Sequence, residues 1–75
     1  MKILIIEDNQ EIIFGLEKLL NEATFTTYIA ITLQKAKELL KKYEYNLIIL
    51  DWILPDGSGV EFLAQLRKEY YTTTE

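Results

Sequence analysis

The chain has 75 residues, of which 49% are hydrophobic, so it has room for one small globular domain and is not of disordered composition. It contains no cysteine and no histidine, which excludes disulfides, thiolate or imidazole zinc sites and histidine-based acid–base catalysis. The net charge is −4, with no basic cluster beyond Lys41-Lys42, so these residues are not expected to bind nucleic acid directly.

The apolar runs are too short for a membrane span or a secretion signal. The longest have four residues, whereas a bilayer requires about 20. The run that follows Met1-Lys2 is also shorter than the core of a signal peptide, which has about 7–15 residues. The expected compartment is the cytoplasm, with no membrane partner.

The first half of the chain changes its apolar spacing in a regular way. Residues 3–6 form a continuous branched run, which predicts a strand covered on both faces, as in a parallel sheet. A helical spacing then predicts an amphipathic helix over about residues 10–22, whose first amides either Asp8 or Asn9 can cap. Residues 25–30 are rich in threonine, tyrosine and isoleucine, which predicts a second strand.

The second helix and the third strand follow directly. Thr32 is the predicted cap of a helix whose apolar positions run from Leu33 to Tyr43. Residues 47–50 are apolar throughout and predict a third strand.

The last third of the chain predicts a turn and a third helix. Pro55-Asp56-Gly57 is a turn signal, because proline presets φ and glycine permits positive φ. Ser58 and Glu61 form the S-x-x-E pattern of a capping box. Residues 70–75 lack apolar periodicity and are expected to fray.

The alternation of three strands with three helices predicts one α/β domain over residues 1–75. Short connections of this kind imply right-handed crossovers, a parallel sheet and helices on both faces.

Three acidic residues follow two of the predicted strands. Glu7 and Asp8 come directly after the first strand, and Asp51 follows the third. If these strands are neighbours, the carboxylates converge at the carboxyl edge of the sheet, where open α/β folds bind ligands. Clustered carboxylates repel one another, and a hard cation such as Mg²⁺ relieves that repulsion. The pattern favours a Mg²⁺ pocket that presents one carboxylate as a nucleophile towards phosphorus.

Each acid also has a simpler interpretation. Asp8 taken alone is as well explained as a helix cap, and Glu7 taken alone as a solvated loop residue. That interpretation is weaker for Asp51, which ends the apolar run of a central strand.

Two segments make a specific resemblance. The opening Lys2–Asn9 (KILIIEDN) and the stretch Tyr45–Gly59 (YNLIILDWILPDGSG) lie about 40 residues apart. Together they resemble the start and the phosphorylation segment of bacterial two-component response-regulator receiver domains. The resemblance covers the chain up to about Tyr70.

This resemblance implies a fold and a set of roles. The fold would be flavodoxin-like, with three layers and a parallel sheet in strand order 2-1-3. Asp51 would be the phosphoacceptor, and a sensor histidine kinase would be the phosphodonor of the full-length parent. Mg²⁺ would be bound directly by Asp8 and Asp51, by Glu7 through a water molecule, and by the backbone carbonyl of Ile53.

The family's domain has two further strands, with a Ser or Thr on the fourth and a Lys on the fifth, and neither position is present here. Thr72, Thr73 and Thr74 fall before the expected place. We therefore expect these 75 residues to be inactive as a switch. We also expect the third strand to be an exposed edge and the chain to form a homo-oligomer, by edge pairing or by exchange of elements.

Two other functions remain open at this stage. A Mg²⁺-dependent aspartyl phosphatase usually carries Asp-x-Asp, whereas the residue two positions after Asp51 is Ile53, so the chain is not expected to be an enzyme. A self-assembling half-domain without signalling activity is the other alternative.

Overall fold

A three-stranded parallel sheet forms the centre of the fold in the computed structural model, which describes residues 1–69. Strand β1 spans Lys2–Ile6, β2 spans Thr26–Ala30 and β3 spans Leu47–Leu50, in the order β2-β1-β3. The predicted strand order is confirmed. The predicted fraying of residues 70–75 lies outside the described residues.

Three helices cover the two faces of this sheet. Helix α1 spans Gln10–Glu22, α2 spans Leu33–Lys42 and α3 spans Gly59–Glu69. The main core lies between the sheet and the pair α2 and α3. Its buried members include Leu4, Ile6, Leu33, Ala36, Phe62 and Leu66.

Helix α1 covers the opposite face. Successive side chains of a strand point to opposite faces, so Ile3 and Ile5 lie on the side away from the α2–α3 core. Both are fully buried, as is the rest of the apolar run of β1. The run therefore is covered on both faces, as its composition predicts, and the fold is the expected flavodoxin-like arrangement of three layers.

The register of the sheet places strand ends side by side. Ile6 pairs with Ala30 of β2 and with Leu50 of β3, so all three strands end at the same level. Two further hydrogen bonds extend this alignment by one residue: the amide of Glu7 donates to Ala30 O (3.0 Å), and that of Asp51 donates to Ile6 O (2.9 Å). The residues that follow β1 and β3 are thus brought to one edge.

Strand β3 lies at the edge of the sheet in the described part of the chain, with β1 as its neighbour. Its residues are apolar throughout, yet Leu47 is 45% exposed and the other three are only half-buried. The side chains of β3 are therefore more exposed to solvent than is usual for a strand of four apolar residues.

The connection between β3 and α3 holds a small hairpin that the sequence pattern did not predict. Strand β4 (Ile53–Leu54) pairs antiparallel with β5 (Gly57–Ser58), and the predicted Pro55-Asp56-Gly57 turn lies at its tip. Leu54 is buried in the core between the sheet and α3. The predicted capping contact is long, since the amide of Glu61 donates to Ser58 Oγ at 3.4 Å.

No helix within residues 1–69 is both long enough and apolar enough to cross a bilayer.

Candidate functional site

The three predicted acids meet at the carboxyl edge of the sheet. One carboxylate oxygen from each of Glu7, Asp8 and Asp51 lies within 4.8 Å of the others. The cause is the register described above, because β1 and β3 are neighbours and end together. The carboxyl edge of an open parallel sheet is the usual place for a ligand in this class of fold.

Glu7 is held at the inner side of this group. Only 9% of its surface is exposed, and its Oε2 accepts a hydrogen bond of 3.1 Å from the amide of Asn9. The interpretation of Glu7 as a solvated loop residue is therefore wrong. The bond also ties the start of α1 to the end of β1.

Asp8 is exposed, and it does not cap α1. The cap is Asn9, whose Oδ1 accepts from the amides of Glu11 (2.9 Å) and Ile12 (3.2 Å). The alternative role of Asp8 as the helix cap is therefore wrong, and its carboxylate stays at the mouth of the site.

Asp51 is half-buried between the strand end and the hairpin. Its Oδ1 accepts a hydrogen bond of 2.8 Å from the amide of Trp52. Gly59 closes the loop behind it, since its amide donates to Trp52 O at 2.7 Å, and a Cβ on Gly59 would overlap the backbone carbonyl of Asp51. The absence of a side chain at Gly59 is therefore what permits this approach.

None of the three acids takes part in an ion pair with a lysine or arginine of residues 1–69. Within residues 1–69 the ion pair found joins Lys35 and Glu38 on α2, away from the three acids. Three carboxylates at such distances repel one another unless a cation or protons intervene. All-oxygen donors without nitrogen or sulfur suit Mg²⁺ or Ca²⁺ rather than zinc, so the residues present fit the hard cation that the sequence favoured.

Ile53, the fourth predicted contributor, begins β4 two residues after Asp51. Its side chain is 78% exposed, so it adds little to the core. Only its backbone carbonyl is relevant to a metal, and that role stays a prediction.

An open apolar groove adjoins the acids on the β3 side. Asp51 is one of its lining residues, and the apolar lining comes from β3, the start of the hairpin and α3: Ile48, Leu50, Trp52, Val60 and Leu63.

Comparison with known proteins agrees with this geometry. The family described as the response regulator receiver domain matches residues 3–74. The cell cycle response regulator CtrA of Brucella ovis is 39% identical over 67 residues, which are 89% of this chain and 29% of CtrA. The CtrA of Brucella anthropi shows the same values. The chain belongs to the response regulator receiver domain family.

Solved receiver structures share the fold over almost the whole chain. The MaeR response regulator bound to beryllium trifluoride superposes with a TM-score of 0.89 at 37% identity, covering 97% of this chain and 62% of MaeR. The non-phosphorylated HemR receiver domain from Leptospira biflexa gives a TM-score of 0.86 at 27% identity, covering 95% of this chain and 57% of HemR. This receiver sequence thus spans under a third of the CtrA proteins and about 60% of these solved chains.

Sequence reasoning identified the acids but missed the groups that hold them. These are the amide of Asn9, which bonds to Glu7, and the amide of Trp52, which bonds to Asp51. It also missed the bonds from the carboxylate of Asp56 to the start of α2. Backbone amides carry no signal in a residue pattern. Asp56 did carry one, but it indicated a turn and not a tertiary contact.

Proposed function

We propose that Asp51 accepts a phosphoryl group from a sensor histidine kinase in a Mg²⁺-dependent reaction of two-component signalling. The observation that carries this proposal is the convergence of Glu7, Asp8 and Asp51 within 4.8 Å at the carboxyl ends of β1 and β3. Membership of the receiver family supports it. In the step itself, an oxygen of Asp51 attacks phosphorus, the bond from phosphorus to the kinase histidine nitrogen breaks, and an acyl phosphate forms.

The proposed metal ligands are Asp8 and Asp51 directly, Glu7 through a water molecule and the carbonyl of Ile53. The environments support this division, since Asp8 is exposed whereas Glu7 is nearly buried and already accepts a bond from Asn9. When bound, Mg²⁺ neutralises charge on the carboxylates and on the incoming phosphoryl oxygens. The protein's own part is to hold Asp51 in place, which the amide of Trp52 does at 2.8 Å.

We do not propose a phosphatase. Such an enzyme needs a general acid beside its aspartyl nucleophile, and the position two residues after Asp51 is Ile53, an exposed aliphatic side chain. The acids that converge on Asp51 come from the end of β1, and this supports a metal pocket beside an acceptor.

The first test is a Mg²⁺ titration followed by the fluorescence of Trp52, the only tryptophan. Trp52 adjoins Asp51 and is 72% exposed, so metal entering the pocket should perturb its emission. We expect a saturable change in the wild type that is lost in Asp51→Asn and in Asp8→Ala. A change that persists in both variants would place the metal elsewhere.

The second test is chemical. Beryllium fluoride, which is bound in the MaeR structure, should bind to the wild type, and a small acyl phosphate donor should phosphorylate it. Neither reagent should act on Asp51→Asn. A phosphoryl group detected by mass spectrometry on the variant would refute the assignment of Asp51.

We further propose that the chain by itself associates with a second copy through β3. The support is that β3 has one neighbouring strand within residues 1–69, that Leu47 is exposed and the rest of β3 only half-buried, and that an apolar groove adjoins it. Two such edges can pair antiparallel around a two-fold axis and cover each other's side chains. Exchange of elements between copies is the alternative route to the same assembly.

A further inference from the structure

The segment that follows Asp51 is closed on itself. β4 and β5 pair with each other, and the amide of Gly59 donates to the carbonyl of Trp52 at 2.7 Å. We call residues 52–59 the acceptor hairpin, because it begins next to the proposed phosphoacceptor. Because these bonds join the tip of the hairpin to its base, we expect a restraint on the tip also to restrain the base beside Asp51.

The tip of the acceptor hairpin carries Asp56, which reaches another element. Asp56 Oδ1 accepts a hydrogen bond of 2.8 Å from the amide of Leu33, and Oδ2 accepts one of 3.0 Å from the amide of Gln34. These are the first two amides of α2, which lack acceptors within the helix. Asp56 lies 23 residues after Leu33, so the contact is tertiary and not a local cap.

The local cap of α2 is a different residue. Thr32 Oγ1 accepts a hydrogen bond from the amide of Lys35 at 3.1 Å. The backbone carbonyl of Thr32 accepts one from the amide of Ala36, also at 3.1 Å. Thr32 and Asp56 together satisfy the first four amides of the helix. Their contributions are separable, because only Asp56 connects α2 to the acceptor hairpin.

An apolar contact accompanies the polar one. Gly57 has φ +156°, and a Cβ there would lie 2.9 Å from Cδ1 of Leu33, which is buried. The backbone of the hairpin tip therefore rests directly on the side chain of Leu33. Both contacts hold the hairpin tip against the start of α2.

We propose that Asp56 is a positioning residue, which fixes the acceptor hairpin on α2 and thereby sets the surroundings of Asp51. The route from one to the other is short. The hairpin begins at the Trp52 amide, which bonds to Asp51 Oδ1 at 2.8 Å, and continues to Ile53, whose carbonyl is a proposed metal ligand. The effect on phosphorylation and Mg²⁺ binding rests on the proposed function of Asp51, whereas the contact between Asp56 and α2 does not.

The test compares Asp56→Ala with Thr32→Ala. Each removes capping bonds from the start of α2, but only the first releases the acceptor hairpin. Amide hydrogen exchange is measured by NMR on the metal-free chain. We expect the amides of Gly59 and Trp52 to exchange faster in Asp56→Ala and at the wild-type rate in Thr32→Ala.

The Mg²⁺ titration with Trp52 fluorescence provides the functional readout. Groups that orient a metal's ligands typically change its affinity by 10–100-fold, so we expect Asp56→Ala to weaken Mg²⁺ binding by roughly tenfold and Thr32→Ala to leave it unchanged. Asp56→Asn keeps one oxygen acceptor and should fall between Asp56→Ala and the wild type. If Asp56→Ala fails to fold, the Mg²⁺ affinity and the amide exchange of Asp56→Asn test the role of Asp56 in its place.

Two outcomes would overturn the inference. One is equal exchange at Gly59 and Trp52 in Asp56→Ala and Thr32→Ala, which would make Asp56 a helix cap and nothing more. The other is wild-type Mg²⁺ affinity in Asp56→Ala. If the wild-type chain itself binds no Mg²⁺, the proposed metal site fails, whereas the exchange data still decide the role of Asp56.

Discussion

The three acids of this receiver sequence differ in their surroundings, although they carry the same chemical group. Glu7 is nearly buried and bonded to the amide of Asn9, Asp51 is half-buried and bonded to that of Trp52, and Asp8 is exposed. The acceptor Asp51, which is also a proposed metal ligand, must be held in place, whereas Asp8 has only to reach the ion from the open side of the site. The surroundings therefore suit the proposed division of roles.

At Gly59 the lack of a side chain allows the acceptor hairpin to close behind Asp51. Gly59→Ala places a Cβ against the Asp51 carbonyl, so the backbone must shift, and we expect the free energy of unfolding to fall by about 1–3 kcal/mol or more. Urea denaturation measures this change. The weaker hairpin should also reduce the response of Trp52 to Mg²⁺.

Gly15→Ala is the matched control. Gly15 lies inside α1, and a Cβ there meets no atom within 4 Å. We expect this variant to gain about 0.5–1 kcal/mol, because alanine is the better helix former. A loss of similar size in both variants would contradict the close approach at Gly59.

At the scale of the elements, the helix starts are tied to the functional edge. α1 is capped by Asn9, next to the proposed metal ligand Asp8, and α2 is capped in part by Asp56, from the acceptor hairpin. A helix start exposes unsatisfied amides with partial positive charge, which favours a nearby carboxylate or amide oxygen. The stability of the first turn of each helix is therefore linked to the geometry of the site.

Asp8 and Asn9 can be separated by experiment, because the cap is Asn9 and not Asp8. Asn9→Ala should lower the free energy of unfolding by about 1 kcal/mol. Asp8→Asn should raise it by on the order of 1 kcal/mol without metal, since it removes one of three clustered negative charges. Mg²⁺ should cancel that gain. Urea denaturation at low ionic strength, with and without Mg²⁺, measures both; a loss of stability in metal-free Asp8→Asn would contradict this.

Asp56 gives a prediction about pH. The amide of Leu33 is the main cause that holds the pKa of Asp56 below its usual value of 3.8. Because the folded pKa is below the unfolded one, the stabilisation is fully present above pH 3.8 and is lost as pH falls through the folded pKa.

We therefore expect the stability difference between the wild type and Asp56→Asn to be constant near neutral pH and to shrink only in the acidic range. An NMR titration provides the direct measurement. The Asp56 carboxyl and the amides of Leu33 and Gln34 should share one midpoint, below 3.8. A midpoint at or above that value would show that the contacts do not persist in solution.

At the scale of the whole molecule, the sheet is well covered at β1 and poorly covered at β3. The four isoleucine and leucine side chains of β1 are fully buried, whereas Leu47 of β3 is 45% exposed. Ile12 and Leu19 of α1 are also exposed, at 47% and 64%. The exposed apolar surface of β3 is the physical reason to expect a second copy at that edge, whereas the exposed residues of α1 play no part in this expectation.

A charge on β3 tests that expectation. Leu47→Lys should prevent edge pairing, because a lysine on an edge strand opposes the approach of another strand. Ile31→Lys is the control, since Ile31 is similarly exposed, at 47%, but follows β2 at the other edge. We expect sedimentation equilibrium to show association of the wild type and of Ile31→Lys, and a monomer for Leu47→Lys. A compact wild-type monomer at micromolar concentration would refute the proposal.

The sequence by itself determined the three parallel strands and three helices, their order along the chain and the identity of the clustered acids, but not the small β4–β5 hairpin. Local patterns carry that information: the short apolar run of residues 3–6 favours a doubly covered strand, Thr32 can cap only the helix that follows it, and Asp51 stands at the end of its strand. The receiver resemblance supplied the strand order, which the structure confirms.

Only the tertiary structure decided which groups surround each acid. The burial of Glu7, the capping by Asn9 in place of Asp8 and the bond from Asp56 to α2 depend on how strands and turns meet in space. The last of these joins residues 23 positions apart, beyond the reach of any local pattern. A residue pattern specifies what a segment can form, but the acceptor of a given amide is chosen by the packing of the whole chain.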